Sequence, residues 1–295
     1  MRIAFAVTTL ALAVIYAPSV LQLVHAWQVD AYAGHGVLVP LCAGFLVWAD
    51  RARIRAAAGR GDWTGILVIL LGLGILALGR SASSLLLQAL SIVVALAGIV
   101  WLGFGRRCLR AAAFPIAFLA LMAPLPRFVA NAVTLHLQRF AAAFAGLTLE
   151  VLGIQVFQTD TLVVLPGLTL QVGEICNGLR FLITLLTLMI TFAQVSQRDL
   201  TRKLLFVALT IPAAILANGV RIATIGIGAH YFGPQVALGL IHHSIAKVIW
   251  GLTLLLVMGA GLLLRRGGGS ETRPGRGPKA ALAAPAGETH PVARS

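Results

Sequence analysis

The sequence predicts an all-α polytopic membrane protein with about eight transmembrane helices, a short extracytoplasmic amphipathic helix and a β-hairpin. Three observations predict this fold class. The chain is 59% hydrophobic and only 11% charged. Apolar runs of about 18 residues or more, the length that crosses a bilayer core, recur along it. The basic residues collect in the loops on one side of these runs, as they do in cytoplasmic loops.

The first predicted span begins directly after Met1 and Arg2. No Ala-x-Ala-like cleavage site follows the apolar run at its end, before Gln28, so we expect a retained span and not a removed signal peptide. Seven further apolar segments follow along the chain. The eight spans are predicted near residues 3–27, 34–49, 63–79, 83–104, 109–125, 177–195, 204–229 and 241–264.

The positive charges orient these spans. Arginine and lysine cluster in alternate loops, at Arg51–Arg60, Arg106–Arg110 and Arg198–Lys203, and again in the C-terminal tail. Because cytoplasmic loops carry the excess of basic residues, both termini are expected in the cytoplasm. The basic residues that give the formal net charge of +14 are therefore expected mainly at one face of a membrane. We expect them to interact with the lipid bilayer and not with nucleic acid.

Two regions fall outside the predicted spans. In an extracytoplasmic insertion at about 126–175, the first half spaces polar residues among apolar ones, as an amphipathic interfacial helix does. The second half alternates apolar and polar residues around Pro166 and Gly167, which indicates a hairpin. Residues 267–295 are rich in Gly, Pro and Ala, and we expect a disordered cytoplasmic tail after a transmembrane domain of residues 1–266.

The stretch GEICNGLRFL places a thiol among polar residues at the head of the sixth predicted span. A nucleophilic cysteine needs a lowered pKa, which a helix N-terminus and a nearby cation both supply. Cys176 is predicted to open a helix, with Arg180 four residues on. Taken alone, Cys176 also fits a buried packing residue. We interpret Cys42 and Cys108, which lie among apolar or basic neighbours, as structural.

The predicted topology brings three distant parts of the chain to one depth near the outer surface. Arg221 lies roughly 27 Å above Lys203 at about 1.5 Å per helical residue, and the eighth span begins outside with His242 and His243. An ionisable group in the membrane costs about 2.5–3.5 kcal/mol, so such residues are usually functional. A histidine can shuttle a proton to and from Cys176, and Arg221 can lower the thiol pKa or hold an oxyanion. Snorkelling arginines and capping histidines are the alternatives for each residue by itself.

At these residues the sequence resembles the exosortase and archaeosortase family of multi-pass membrane transpeptidases. The matching stretches are HGVLVPL, FPIAFLALMAPLP, GEICNGLRFL, ANGVRI and GLIHHSIA. The resemblance implies Cys176 as nucleophile, Arg221 as stabilising arginine and His242 as proton shuttle, with supporting residues His243, Arg180, Glu174 and Asn218. Family members usually carry Gly-Trp where Ala246 and Lys247 stand here, so the choice between His242 and His243 stays open.

The resemblance implies a cysteine peptidase that acts at the outer side of the cytoplasmic (inner) membrane. Such enzymes recognise exported proteins by a C-terminal signal of a motif such as Pro-Glu-Pro (PEP-CTERM), a transmembrane helix and a basic cluster, and pass the new carboxyl end to an acceptor. No metal or organic cofactor is expected, because clustered metal ligands, a phosphate loop and a dinucleotide fingerprint are missing from the sequence.

Two other classes of protein remain as alternatives to this enzyme. A transporter or channel could line its solute path with buried arginine and histidine residues. A non-catalytic subunit of a polymer export system would also be a polytopic membrane protein. Against the transporter, the sequence shows no internal repeat of broken helices.

Overall fold

The structure, a computed structural model, describes residues 2–30, 32–166, 168–172, 178–197, 199–233 and 240–266. Nine α-helices and three short strands lie within these residues. In chain order they are α1 (Arg2–Val29), α2 (Leu38–Ala49), α3 (Arg51–Ala57), α4 (Gly65–Ser81), α5 (Leu85–Phe118), α6 (Arg127–Val151), β1 (Phe157–Thr159), β2 (Leu162–Leu165), β3 (Leu168–Gln171), α7 (Leu179–Ser196), α8 (Leu200–Phe232) and α9 (Leu240–Arg266). The predicted C-terminal tail, 267–295, lies outside the described residues.

The helices confirm a polytopic membrane protein. Five stretches of the described chain are long and apolar enough to cross a membrane: Phe5–Val29, Leu85–Met122, Leu179–Ser196, Leu200–Phe232 and Ser244–Leu263. The apolar helices Gly34–Ala49 and Gly65–Ser81 are shorter. The predicted count of eight is therefore not confirmed, because two predicted spans are short and two others, 83–104 and 109–125, fall in the one candidate span Leu85–Met122, on either side of a kink at Gly105.

Helix α5 changes direction at Gly105, whose φ of 82° and ψ of 168° are not helical. Just before this point, Gly103 packs against the ring of Phe5 near the start of α1. Further along the chain, the carbonyl oxygen of Met122 accepts a hydrogen bond of 3.1 Å from Nε1 of Trp27, near the end of α1. Phe5 and Trp27 are separated by about 33 Å along a helix of this length. The chain after Gly105 therefore runs back toward the level at which α5 began, and a glycine suits the positive φ of the turn.

Helices α4 and α5 approach each other closely because α4 presents a glycine at every seventh position, at Gly65, Gly72 and Gly79. A Cβ atom on Gly72 would lie only 3.0 Å from the backbone nitrogen of Ala95. Small residues of this kind allow helices to pack closely in membranes. Close packing matters there because the hydrophobic effect does not drive helices together within lipid.

Two groups of helices form the body of the protein. Helix α1 packs with α4 and the first half of α5 around buried Leu12, Tyr16 and Ile69. Helices α7, α8 and α9 share a second core that includes Leu185, Phe206 and Val257. Helix α2 contacts both α5 and α7, and so joins the two groups.

Helix α6 and the strands form a cap on α8. The ring of Phe144 lies against Gly219 and the side chain of Leu149 lies against Gly226. The predicted hairpin is confirmed, since β2 and β3 pair antiparallel on either side of Pro166. The sheet also contains β1, a third strand that was not predicted, in the order β1-β2-β3. Helix α6 has 25 residues and is longer than the short helix that was predicted.

An ion pair connects α6 with the sheet. Nε of Arg139 lies 2.6 Å from Oδ1 of Asp160, and both side chains are about half exposed, at 49% and 55%. Asp160 occupies the turn between β1 and β2 with a φ of 50°, a conformation that aspartate tolerates better than most residues. The sheet, up to Val172, also packs on Ile222 and Ala223 of α8.

Candidate active site

A cavity of about 970 Å³ opens where the starts of α2, α7 and α9 meet the second half of α8. Ligand sites in proteins have volumes of about 300–1,000 Å³, so this cavity can take a short peptide segment. Its lining residues are Gly34, His35, Leu38, Gly178, Arg180, Phe181, Thr184, Arg221, Ala246, Lys247, Trp250 and Gly251. A second cavity of about 940 Å³, between α1 and the starts of α5 and α6, is not lined by Arg180, Asn218 or Arg221, the predicted site residues whose side chains the structure describes.

The stretch ANGVRI places Arg221 at this cavity and Asn218 behind its wall, against Gly178. Asn218 and Arg221 are three residues apart and therefore share a helix face. Asn218 is only 4% exposed and packs against Gly178, at the head of α7. A Cβ atom on residue 178 would lie 2.9 Å from both Cγ and Nδ2 of Asn218. A glycine at position 178 is therefore what lets α7 begin against α8.

Several polar atoms of this pair have no partner. Nε and Nη2 of Arg221 and Oδ1 of Asn218 are buried, and none of them has a hydrogen bond within the described part of the chain. A buried polar group that is left unbonded costs about 1–3 kcal/mol, and more if it is charged. Native proteins satisfy nearly all such groups, so exceptions that line a cavity indicate a place where a ligand supplies the partner.

Two further cations line the same cavity. The guanidinium group of Arg180 lies against Gly34, where an added Cβ would be 3.1 Å from Nη2. Lys247 reaches the cavity from α9. The ion pairs found among the described residues are Arg139–Asp160 and Arg202–Asp199, so none of the three cavity cations has a described carboxylate partner. The positive charges of the cavity therefore favour negatively charged or carbonyl-rich ligands.

The structure brings together only part of the predicted site. Cys176 and Glu174 lie outside the described residues, but Gly178 follows Cys176 by two residues and lines the cavity. Helix α7 is described from Leu179, so the predicted helix start at Cys176 lies outside the described residues. Arg180 is in the first turn of α7.

The two candidate histidines belong to the beginning of α9. His242 and His243 precede Ala246 and Lys247, which line the cavity, by one helical turn each. The side chains of both histidines lie outside the described part of the chain. The choice between them remains a prediction.

Sequence reasoning gave no site role to two residues that line the cavity, His35 and Lys247. His35 is 3% exposed, and its Nε2 lies 3.0 Å from the carbonyl oxygen of Leu121. The available signals were local: a histidine between two glycines ahead of an apolar helix, and a lysine isolated within an apolar one. Neither pattern shows which distant residues it meets.

The arrangement suits reactions in which negative charge develops. Fixed guanidinium donors in a site with little water stabilise an oxyanion more strongly than water does. Cys42 and Cys108 are both buried, and neither lines this cavity. Of the three cysteines, Cys176 is the closest in sequence to a lining residue, because Gly178 follows it by two residues.

A comparison with protein families agrees with this geometry. The sequence matches the family described as transmembrane exosortase over residues 27–259, which includes every residue that lines the cavity. No curated protein and no solved structure matches the chain. The match covers most of the chain, and the protein therefore belongs to the transmembrane exosortase family.

Proposed function

We propose that this protein is a membrane-embedded cysteine transpeptidase that cleaves C-terminal sorting signals of exported proteins. The observation that supports the proposal is the cavity in which Arg180, Arg221 and Lys247 have no carboxylate partner among the described residues. Gly178, which follows Cys176 by two residues, lines this cavity. A peptide with an acidic motif and exposed carbonyl groups complements this charge.

In the proposed first step, the thiol of Cys176 gives its proton to His242, and the thiolate attacks the carbonyl carbon of the scissile peptide bond. A carbon–sulfur bond forms, and the carbonyl oxygen becomes an oxyanion. The free N–H groups of Arg221 donate hydrogen bonds to it. His243 is the neighbouring candidate for the proton shuttle.

In the second step, the tetrahedral intermediate collapses and the carbon–nitrogen bond breaks. The leaving amine takes the proton from His242 and departs with the apolar helix of the signal. The exported protein stays on Cys176 as a thioester. A nucleophilic group of the acceptor then attacks the thioester and restores the thiol, so that the carboxyl end of the exported protein becomes bonded to the acceptor.

We further propose that the cavity faces the exterior and that both termini are cytoplasmic. Thr161 lies in the turn between β1 and β2 of the sheet that packs on the second half of α8, and Asp199 lies just before α8 begins. The two residues are therefore toward opposite ends of this helix. A cysteine introduced at Thr161 should react with a membrane-impermeant thiol reagent in intact cells. A cysteine at Asp199 should react only after permeabilisation, and the reverse pattern would place the chemistry in the cytoplasm.

The test of the proposed activity is substitution of the nucleophile. The assay uses an exported reporter protein with a C-terminal signal. This signal consists of Pro-Glu-Pro, then an apolar span of about 20 residues, and then a cluster of arginines. Cys176→Ala should leave the protein inserted and abundant while full-length reporter accumulates. The matched variants Cys42→Ala and Cys108→Ala should process the reporter as the parent does. Normal processing by Cys176→Ala would refute the transpeptidase and favour a transporter or an assembly subunit.

A further inference from the structure

The second cavity, of about 940 Å³, lies at the end of a candidate membrane span. Helix α1 lines it with residues spaced three and four positions apart, which share one helix face: Gln22, His25, Ala26 and Val29. They belong to the last two turns of the span Phe5–Val29. The cavity is therefore at the level where α1 leaves the apolar layer of a membrane, and this is the level of the lipid head groups.

Two arginines line this cavity. Arg80, at the end of α4, donates a hydrogen bond of 2.6 Å from Nη2 to the carbonyl oxygen of Ile15 in α1, which anchors its guanidinium group. Arg127 is the first residue of α6, and Asn131, four residues later, lines the cavity from the same helix face. Neither arginine forms an ion pair within the described residues. Their free N–H groups are available to a ligand.

Gln88 adds a buried polar group to the cavity. The residue is only 4% exposed, and its side chain packs against Gly79, where an added Cβ would lie 3.0 Å from Cγ. The side-chain amide makes no hydrogen bond in the described part of the chain. It is not among the polar groups that are completely enclosed by protein, so it is open to the cavity that Gln88 lines. Nearly all buried polar groups have partners, and a ligand in the cavity can supply this one.

The charges of the lining favour an anion. Asp30 is the one carboxylate among the described residues that line the cavity, and its Oδ1 already accepts a hydrogen bond of 2.8 Å from the backbone N–H of Tyr32. Two arginines against one carboxylate leave the lining positive. Guanidinium groups bind phosphate oxygens through paired N–H donors, and the amides of Gln88 and Asn131 can donate to the same kind of acceptor. Phosphate is also the common anion of lipid head groups.

We infer that the second cavity binds a phosphate group, with Arg80, Arg127 and the amide of Gln88 as donors to its oxygens. The phosphate belongs either to a lipid head group or to a soluble compound. No residue lines both this cavity and the active-site cavity, so the inference does not rest on the proposed function. The two cavities adjoin at the turn before α2, since Tyr32 lines one and Gly34 lines the other. A ligand bound here is therefore next to the candidate active site.

The test measures binding of three probes to the full-length protein in detergent by native mass spectrometry. Dioleoylphosphatidylglycerol has the phosphate and the acyl chains, dioleoylglycerol has the same chains without phosphate, and glycerol 3-phosphate has the phosphate without chains. We expect a phosphate-bearing probe to bind and dioleoylglycerol not to displace it. Binding of the phospholipid indicates a lipid head group, and binding of glycerol 3-phosphate alone indicates a soluble ligand. Failure of both to bind, or equal binding of dioleoylglycerol, would overturn the inference.

Substitutions then locate the bound phosphate. Arg127→Gln should weaken binding of the phosphate-bearing probe by about 10- to 100-fold, the effect of losing a hydrogen bond from a charged group. Gln88→Leu should weaken it by about 10-fold. The control is Arg53→Gln, which removes an exposed arginine of α3 that does not line the cavity and should bind as the parent does. Equal losses in Arg53→Gln and Arg127→Gln would show that the probe binds only to surface charge.

A thermal melt of the ligand-free protein separates a ligand-binding role of Gln88 from a structural one. Because the amide has no protein partner, leucine at this position should leave the melting midpoint unchanged or raise it. A lower midpoint with unchanged probe binding would show that the amide supports the fold, and would overturn its role as a donor. If Gln88→Leu is both less stable and weaker in binding, Arg127→Gln decides, because the side chain of Arg127 is exposed and its loss should not affect folding.

Discussion

The two ends of the bundle formed by α7, α8 and α9 contain similar polar groups, but those at one end are hydrogen-bonded to each other and those at the other end have no described partner. At one end, Nζ of Lys203 donates to Oε1 of Gln194, and Nε2 of Gln197 donates to the carbonyl oxygen of Gly261, each at 2.7 Å. At the other end, Arg221 and Asn218 keep buried polar atoms without any described partner. Lys203 and Arg221 are separated by about 27 Å along α8.

The difference indicates which end is built for stability and which for a ligand. Polar groups that bond to each other hold helices together and have no capacity left for a substrate. Unbonded groups that line a cavity lower the stability of the free protein and are satisfied only when something binds. The hydroxyl group of Ser196, at the Lys203 end, is an exception, because it is also buried without a described partner.

The largest expected effect comes from exchanging the cation at each end. Arg221→Lys keeps the charge but loses the planar set of donors, so reporter processing should fall by roughly 100-fold or more, the effect of losing an oxyanion donor. The matched variant Lys203→Arg should process the reporter as the parent does. The measurement is the ratio of processed to unprocessed reporter at equal protein level. Near-normal processing by Arg221→Lys would show that Arg221 is a snorkelling anchor.

A smaller loss is expected from Gly178→Ala. The new methyl group would lie 2.9 Å from Cγ of Asn218, so the start of α7 must shift away from α8. Because Cys176 is two residues before this point, the shift should misplace the nucleophile and slow processing by roughly 10- to 100-fold. Gly251→Ala is the control, since Gly251 lines the same cavity and an added Cβ meets no atom within 4 Å. Equal rates of reporter processing by Gly178→Ala and Gly251→Ala would show that the position of α7 does not affect catalysis.

The smallest effect is expected at the opposite end of the bundle. Gln197→Ala removes the hydrogen bond to the carbonyl oxygen of Gly261 and should lower the free energy of unfolding by about 1 kcal/mol. A thermal melt in detergent should show a lower midpoint, while the processing rate of the folded protein stays within two-fold of the parent. A large loss of processing without a loss of stability would mean that this end also takes part in the reaction.

Much of the helical framework could be predicted from the sequence because the apolar runs and basic loops are local signals. The start and end of α8, the hairpin at Pro166 and the neighbourhood of Arg180 and Arg221 follow from such signals. The third strand, β1, was missed because it is only three residues long. The count of spans was not settled, since hydropathy does not show whether an apolar helix is long enough to cross the membrane.

The contacts of His35 and Lys247 could not be predicted for a different reason. The role of a buried polar residue depends on which distant groups it meets, and the bond between His35 and Leu121 joins residues 86 positions apart. A single sequence gives no direct signal for such a contact.

The most direct test of a cysteine transpeptidase is capture of the covalent intermediate on Cys176. Protein that is turning over the reporter is quenched in acid, digested, and analysed by mass spectrometry before and after treatment with hydroxylamine, which cleaves thioesters. We expect the new carboxyl end of the reporter to be attached to the peptide that contains Cys176, to disappear with hydroxylamine, and to be missing in Cys176→Ala. Continued processing without any adduct, or an adduct on another residue, would contradict the assignment of Cys176 as the nucleophile.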